Sequence, residues 1–250
     1  MNPSFSVVML VSRNDHKFEE AVESVVKQEP DEFRAYIDTV KIDFVEEPHV
    51  REVLKDANAK ILVQRPTLAF DRHENLVHNY HRAMLQVKNP WVVKTDDDDV
   101  LLGTPRKKLI EEFARDRVGV IHGDKIVKHP YFGYLKNREF VLFMKALFKP
   151  TFFSGSKPKD HKDVKFKIFG GTAIINSEAF KQIHPLLDHG YFYDWKTFYW
   201  ILKAGWKSVY VPEVLFRQNI SANIDSIRRS YWGKWPQIMR ELDYAGDVPK

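Results

Sequence analysis

Four aspartates in a row, Asp96 to Asp99, stand between two apolar runs, Trp91-Val92-Val93 and Val100-Leu101-Leu102. Acidic runs ordinarily belong to solvated tails, whereas this one closes a stretch that reads as a buried strand. Two unit charges about 4 Å apart repel by about 1 kcal/mol in water and by about 4 at an effective dielectric near 20. A fold that gathers these carboxylates at a strand end therefore calls for a cation. Oxygen-only ligands suit Mg²⁺ or Mn²⁺, which bind one or two carboxylates and complete their shell with substrate phosphates. The plainer alternative is a solvated turn, or a helix start with an aspartate cap.

The residues before this run set its context. Ser6 to Val11 is a continuous apolar run, as in a strand buried on both faces of a parallel sheet. Ser12, Arg13, Asn14 and Asp15 follow, and then a helical pattern with Phe18, Ala21, Val22, Val25 and Val26 on one face. Asn14 or Asp15 is placed to cap that helix. Such a strand-loop-helix opens an α/β domain, in which ligands bind beyond the carboxyl ends of the strands. No glycine-rich phosphate loop is present, which argues against simple dinucleotide and P-loop sites. A second strand is expected within Arg34 to Val45, a short helix around Val50 to Ala57, and a third strand at Lys60 to Gln64. Asp71 to Val87 reads as a helix with Leu76, Val77, Tyr80, Ala83, Met84 and Val87 inward. Its polar residues include Arg72, His73, Asn75, His78 and His81. Without cysteine or a placed carboxylate, those histidines read as an exposed or core-edge face rather than a zinc site. Trp91 to Thr95 is then the fourth strand, and it delivers the aspartates. Thr104 and Pro105 supply an N-cap and first-turn proline for a helix that turns Leu109, Ile110 and Phe113 inward. Val118 to Ile121 is another short buried strand. This alternation predicts an α/β fold, one mixed but mostly parallel sheet flanked by helices.

Composition shifts after His122. Residues 125 to 167 are rich in lysine, aromatic residues and histidine, and Thr151 to Asp163 carries strong loop chemistry. Lys157, Lys159, Lys162, Lys165 and Lys167 make this a basic segment, either a solvated loop or a mobile lid beside a site. Gly170 and Gly171 precede a short strand, where paired glycines allow backbone to approach a ligand or simply make a bend. A helix begins at Ser177. Asp194 stands at the start of a further helix that Gly205 ends, either as its N-cap or as a carboxylate held over a cleft by aromatic neighbours. Lys207 to Val211 is a closing strand, and Ser221 to Tyr244 is helical in pattern. The 250 residues, 44% hydrophobic, suffice for one sizeable core. No apolar stretch or leader pattern points to a membrane span or secretion. The absence of cysteine excludes disulfides and thiolate metal sites and fits a reducing, cytoplasmic setting. The formal charge of +5 suits an anionic substrate and leaves a nucleic-acid partner open.

Four segments together resemble a family 2 glycosyltransferase of the GT-A fold, Rossmann-like in its nucleotide-binding half. They are SVVMLVSRND with its following helix FEEAVESVVKQ, TDDDDVLL, FGGTAIINSEAF, and FYDWKTFYWILKAGWKSVYVPE. The resemblance covers roughly residues 5 to 220. It implies a catalytic domain over 1–220, with a nucleotide-sugar half at 1–123, an acceptor half at 124–220 containing the basic loop 151–167, and a C-terminal helical extension at 221–250. It implies a metal-dependent inverting transfer of a sugar from a nucleoside-diphosphate donor, most simply a UDP-sugar, to an acceptor hydroxyl on a saccharide, lipid or other molecule. Mn²⁺ or Mg²⁺ would be the cofactor. The DxD-type pattern falls on Asp96, Asp98 and Asp99, in a frame that can slide by one position. Asp96 would face the nucleoside, Asp98 would hold the metal, and Asp99 would support it. Ser12, Arg13 and Asn14 would border the nucleotide, Asp43 or Asp38 would contact the base, and Arg72, Asn75, Gly170 and Gly171 would line the donor pocket. Asp194 matches the family's catalytic base. The chain departs from the pattern after the second strand, where IDFVEEP replaces an aspartate-rich turn, and after the last core strand, where the segment Phe216-Arg217-Gln218-Asn219 lacks a histidine.

Three rivals keep the acid run but change the chemistry. The first exchanges the acceptor for a hydroxylated base in DNA, which the lysine-rich segment and the basic, tryptophan-bearing tail would suit. A nucleotidyltransferase with two metals also uses carboxylates at strand ends. A binding module would use the aspartates only to hold a structural cation.

Overall fold

The computed structural model describes residues 3–11, 16–38, 48–64, 72–128, 151–164, 167–168, 170–187 and 193–219. β1 (Phe5–Val11) is buried along its whole length, as an apolar strand covered on both faces should be. α1 (His16–Val26) lays Phe18, Ala21, Val22 and Val25 inward. Val26, expected on that face, is 46% exposed at the helix end. Ser24 is buried instead: its hydroxyl donates to the Ala21 carbonyl at 2.7 Å and accepts from the Leu101 amide at 3.1 Å. β2 (Glu32–Asp38), α2 (Pro48–Asp56) and β3 (Lys60–Gln64) follow. The second strand thus starts ahead of Arg34, and its expected reach to Val45 lies outside the described residues. Next come α3 (Arg72–Gln86), β4 (Trp91–Asp96), the two-residue β5 (Val100–Leu101) and α4 (Arg106–Phe113). The last part contains β6 (Val118–Lys128), β7 (Thr151–Phe153), a 3₁₀ turn at Gly170–Thr172, β8 (Ile174–Asn176), α5 (Ser177–Ile183), α6 (Tyr193–Lys203) and β9 (Lys207–Asn219).

The nine strands among the described residues form one mixed sheet in the order β3-β2-β1-β4-β8-β6-β9-β5, with β7 paired to β6 off this path. The first four are mutually parallel, β8 runs antiparallel to both of its neighbours, and β6 and β9 are parallel again. The chain leaves β1 toward β2 and returns on its other side at β4. The carboxyl ends of β1 and β4 therefore flank a topological switch point, where open α/β sheets bind their ligands. Alternation sends Phe5, Val7, Met9 and Val11 of β1 to a core with α1, α2 and α4. Val8 and Leu10 face the opposite core, built on α3, α5 and α6. Among the described residues no helix is long and apolar enough to cross a membrane.

Three local expectations are corrected. Thr104 does not cap α4: Pro105 occupies the cap position without a side-chain bond, while the Thr104 amide and hydroxyl both donate to the Glu213 carboxylate, at 2.6 and 3.0 Å. β6 and β9 continue well past Ile121 and Val211, through register shifts near Asp124 and Val214. At Gly123 an added Cβ would lie 2.6 Å from the Glu213 carbonyl oxygen, so the close approach of the two strands there demands glycine. Gly205 ends α6 as expected, in the left-handed region at φ 84°. Its amide bonds the Leu202 carbonyl at 3.0 Å and the Trp206 amide bonds that of Ile201 at 3.2 Å, a Schellman closure.

Candidate active site

β4 carries its chemistry in its last three residues. Trp91, Val92 and Val93 are at most 1% exposed, and Lys94 follows at 6%, inside what is otherwise an apolar strand. The four aspartates make the turn into β5, where the Asp99 amide bonds the Asp96 carbonyl at 3.3 Å. Asp97, Asp98 and Asp99 are only 4%, 6% and 3% exposed, so this is not a solvated acidic run. The end of β9 fastens it. The Asn219 amide donates to an Asp99 carboxylate oxygen at 3.0 Å, and the Asn219 side chain donates to the Asp98 carbonyl. Asn219, in the segment that lacks the family's histidine, thus contacts the acid turn through its backbone and side-chain amides.

A second carboxylate meets this end of the sheet from α6. Asp194 lies in the first turn of that helix, and its side chain turns to Lys94 rather than capping the helix: Lys94 Nζ to Asp194 Oδ1 is 2.9 Å. The Lys94 ammonium also bonds the Tyr193 hydroxyl. It lies 4.2 Å from the centre of the Tyr193 ring and 4.5 Å from that of Tyr80, and the two rings stack 6.0 Å apart. The Tyr80 hydroxyl is shared between the Thr95 carbonyl, at 2.9 Å, and the Asp96 carboxylate. One connected set of side chains therefore runs from Asp96 through Tyr80, Lys94 and Tyr193 to Asp194.

The electrostatics follow from that packing. Burial works against the Lys94 ammonium, but the charge of Asp194, with help from Tyr193 and Asp96, outweighs it and holds the group above its ordinary range. Both phenols are pushed up, first by burial, then in Tyr80 by Asp96 and in Tyr193 by Asp194. Both stay neutral: the Tyr80 hydroxyl donates to Thr95 and Asp96, and the Tyr193 oxygen accepts from Lys94. Gly170 packs against the other side of Asp194, since an added Cβ would overlap the carboxylate and come within 2.6 Å of its Cγ. A Cβ on Gly171 would enter the Phe216 ring. The glycine pair thus serves close packing around Asp194 and β9.

The structure brings together Asp194, Gly170, Gly171 and the turn Asp96–Asp99. Ser12, Arg13, Asn14 and Asp43 lie outside the described residues. Arg72 and Asn75 are placed on the first turns of α3, and Asp38 ends β2, pairing with Gln64. His81 is a core residue, edge-on to Phe180 and His184 at 5.8 and 5.7 Å. In the basic segment Lys157, Lys159 and Lys162 are exposed, while Val164 and Ile168 are fully buried in the second core. Sequence reasoning missed Lys94 and Tyr193 as site residues and treated Tyr80 only as core. A lysine interrupting a buried apolar strand was the available signal, because lysine is almost never buried unless paired.

Among the described residues no three His, Asp or Glu side chains converge to hold a metal by themselves. The donors at the turn are nevertheless all carboxylates, and Asp98 is nearly buried beside the more open Asp96. That donor set fits Mg²⁺ or Mn²⁺ held by one or two carboxylates, with phosphate oxygens completing the shell.

No protein-family model matches the chain, and no curated protein matches it in sequence. Solved structures do. The mannosyltransferase PcManGT from Pyrobaculum calidifontis, in complex with GDP-Man and Mn²⁺, superposes with a TM-score of 0.62 at 14% identity over 98% of this chain and 65% of its own. GalNAc-T7 with UDP, GalNAc and Mn²⁺ gives 0.60 at 15% identity over 87% of this chain and 44% of its own. S. aureus TarS in complex with UDP gives 0.58 at 13% identity over 87% of this chain and 61% of its own. The chain spans less than two thirds of each of these proteins. Likeness at such identity concerns architecture, and in architecture the chain has the GT-A glycosyltransferase fold.

Proposed function

We propose that this chain is a glycosyltransferase that moves a sugar from a nucleoside-diphosphate donor, a UDP-sugar in the simplest case, to an acceptor hydroxyl with inversion. The observation that carries the reading is the meeting of two carboxylate stations, the buried acid turn after β4 and Asp194 of α6, at the switch-point end of a GT-A sheet. The nucleotides and Mn²⁺ named for the structural neighbours support the donor class and the metal. They give no support to a nucleic-acid acceptor. Asp98, with Asp96, would hold the divalent ion, while Asp99 is committed through one oxygen to the Asn219 amide. Such an ion, when bound, supplies positive charge against the donor diphosphate.

The chain's own residues account for the rest. Asp96, bonded by the Tyr80 hydroxyl, would meet the nucleoside side of the donor. Asp194 would take the proton of the acceptor hydroxyl as its oxygen bonds the anomeric carbon. The bond from that carbon to the diphosphate oxygen breaks on the opposite face, and the nucleoside diphosphate leaves with the electron pair. Asp194 keeps about a third of its side-chain surface open, enough for an acceptor to reach it.

The test is to incubate the protein with UDP- and GDP-hexoses and Mn²⁺ and to measure nucleoside diphosphate release. Asp194→Asn should keep donor affinity and lose turnover by at least about 10²-fold, the lower range for general-base catalysis. Absence of donor binding and release across the panel, or an undiminished Asp194→Asn, would overturn the assignment.

A further inference from the structure

The ion pair under Asp194 has features that a structural salt bridge does not require. Lys94 sits on a central strand between Val93 and Thr95, each 1% exposed, and burying an ammonium there is costly unless it is paired. Its charge is met by one carboxylate oxygen and one phenol, and is held between two aromatic faces. The carboxylate it meets is itself squeezed from the other side by Gly170, which has no room for a Cβ. Asp194 is thus gripped between a fixed cation and a fixed backbone while its outer surface stays open. The same two tyrosines tie the cation to Asp96, so the arrangement spans both carboxylate stations.

We propose that Lys94 is a positioning residue for sugar transfer, acting through Asp194 by holding its carboxylate in one orientation at the mouth of the site. This rests on the reading of Asp194 as the base. Without Lys94 the half-open carboxylate turns toward water and meets the acceptor hydroxyl in the wrong geometry. Misplacement by about 1 Å costs on the order of 10²-fold in rate.

A double-mutant cycle tests this, read as UDP or GDP release from the hexose donor that turns over fastest with Mn²⁺, with water as acceptor. Lys94→Met should lower kcat by about 30-fold or more and leave the donor KM within about threefold, because only the transition state is affected. Lys94→Arg should recover part of that loss. In the Asp194→Asn background Lys94→Met should cost less than about threefold more, the non-additivity of residues that act as a unit. Full additivity in the two backgrounds, or a loss confined to donor KM, would overturn the proposal while leaving the base assignment standing. An active Asp194→Asn would instead remove the base assignment itself. Lys94→Gln serves as a second variant should Lys94→Met fail to bind donor in calorimetry, and it carries the same expectations.

Discussion

Gly170 offers the sharpest perturbation, because the nearest atoms a single methyl there would meet all belong to the Asp194 carboxyl group. A Cβ built on Gly170 lies 2.6 Å from the Asp194 Cγ, 3.1 Å from Oδ1, and overlaps Oδ2. Carbon atoms pack at about 3.5 to 4.0 Å, so the carboxyl group must retreat by about 1 Å. The Lys94 contact, now 2.9 Å, cannot survive that displacement in hydrogen-bonding geometry. Gly170→Ala should therefore lower kcat by on the order of 10²-fold through misplacement of the base. Stability should fall as well, by about 1–3 kcal/mol, because the buried Lys94 ammonium loses its carboxylate and keeps only the Tyr193 hydroxyl. The assay pairs initial rates of nucleoside diphosphate release at saturating donor with calorimetric donor affinity and a thermal melt. A kcat within about threefold of the parent, in a protein whose melt is unchanged, would refute both the packing argument and the role given to the carboxylate.

Two further outcomes concern the scaffold. His122 is fully buried, and neither ring nitrogen finds a hydrogen bond among the described residues. Burial pulls its pKa down from 6.5 to about 4, with Asp124 opposing. Because the folded value is the lower one, the unfolded chain takes up the proton first. The stability this group contributes is full above about pH 6.5 and falls as pH drops toward about 4. Between pH 7 and about pH 5 the loss should be about 2 kcal/mol, and His122→Phe should abolish that component in urea unfolding at the two pH values. An equal acid loss in both proteins would contradict it. Arg106 is 0% exposed and donates to the Leu102 carbonyl at 2.6 Å and to that of Leu215. Arg106→Met should cost about 2–4 kcal/mol in denaturant midpoint analysis by stripping partners from buried carbonyls, and a loss below about 1 would show that the site relaxes.

Much of the architecture was written in hydrophobic period. β1, most of the inward face of α1, and the extents of β3 and β4 follow from apolar runs and helical spacing read along the chain. The long β6 and β9 were not legible, because His122-Gly123-Asp124 and Pro212 read as breaks. In the fold they mark irregular register, which tolerates what a regular ladder would not. The helix start at Thr104 failed for a related reason: a residue distant in sequence, Glu213, claims the groups that would have capped it. At the site, the acid run and Asp194 were visible as residue types out of place. Their linkage was not, since nothing local says that a lysine on β4 and a carboxylate on α6 share a contact across 100 positions.

β8 is three residues long, yet it alone pairs with both β4 and β6. The sheet is thus two plates, one built on β1 to β4 and the other on the long twin strands, joined by this short splint and by the acid turn, which β5 and Asn219 fasten to β9. Immediately ahead of that splint comes the glycine turn that presses on Asp194, and its own last residue is Asn176, whose side chain accepts from the amides of Glu178 and Ala179 to start α5. Anything that loosened the β8 seam would shift the pressing turn with it, so the placement of the carboxylate is coupled to the alignment of the two plates.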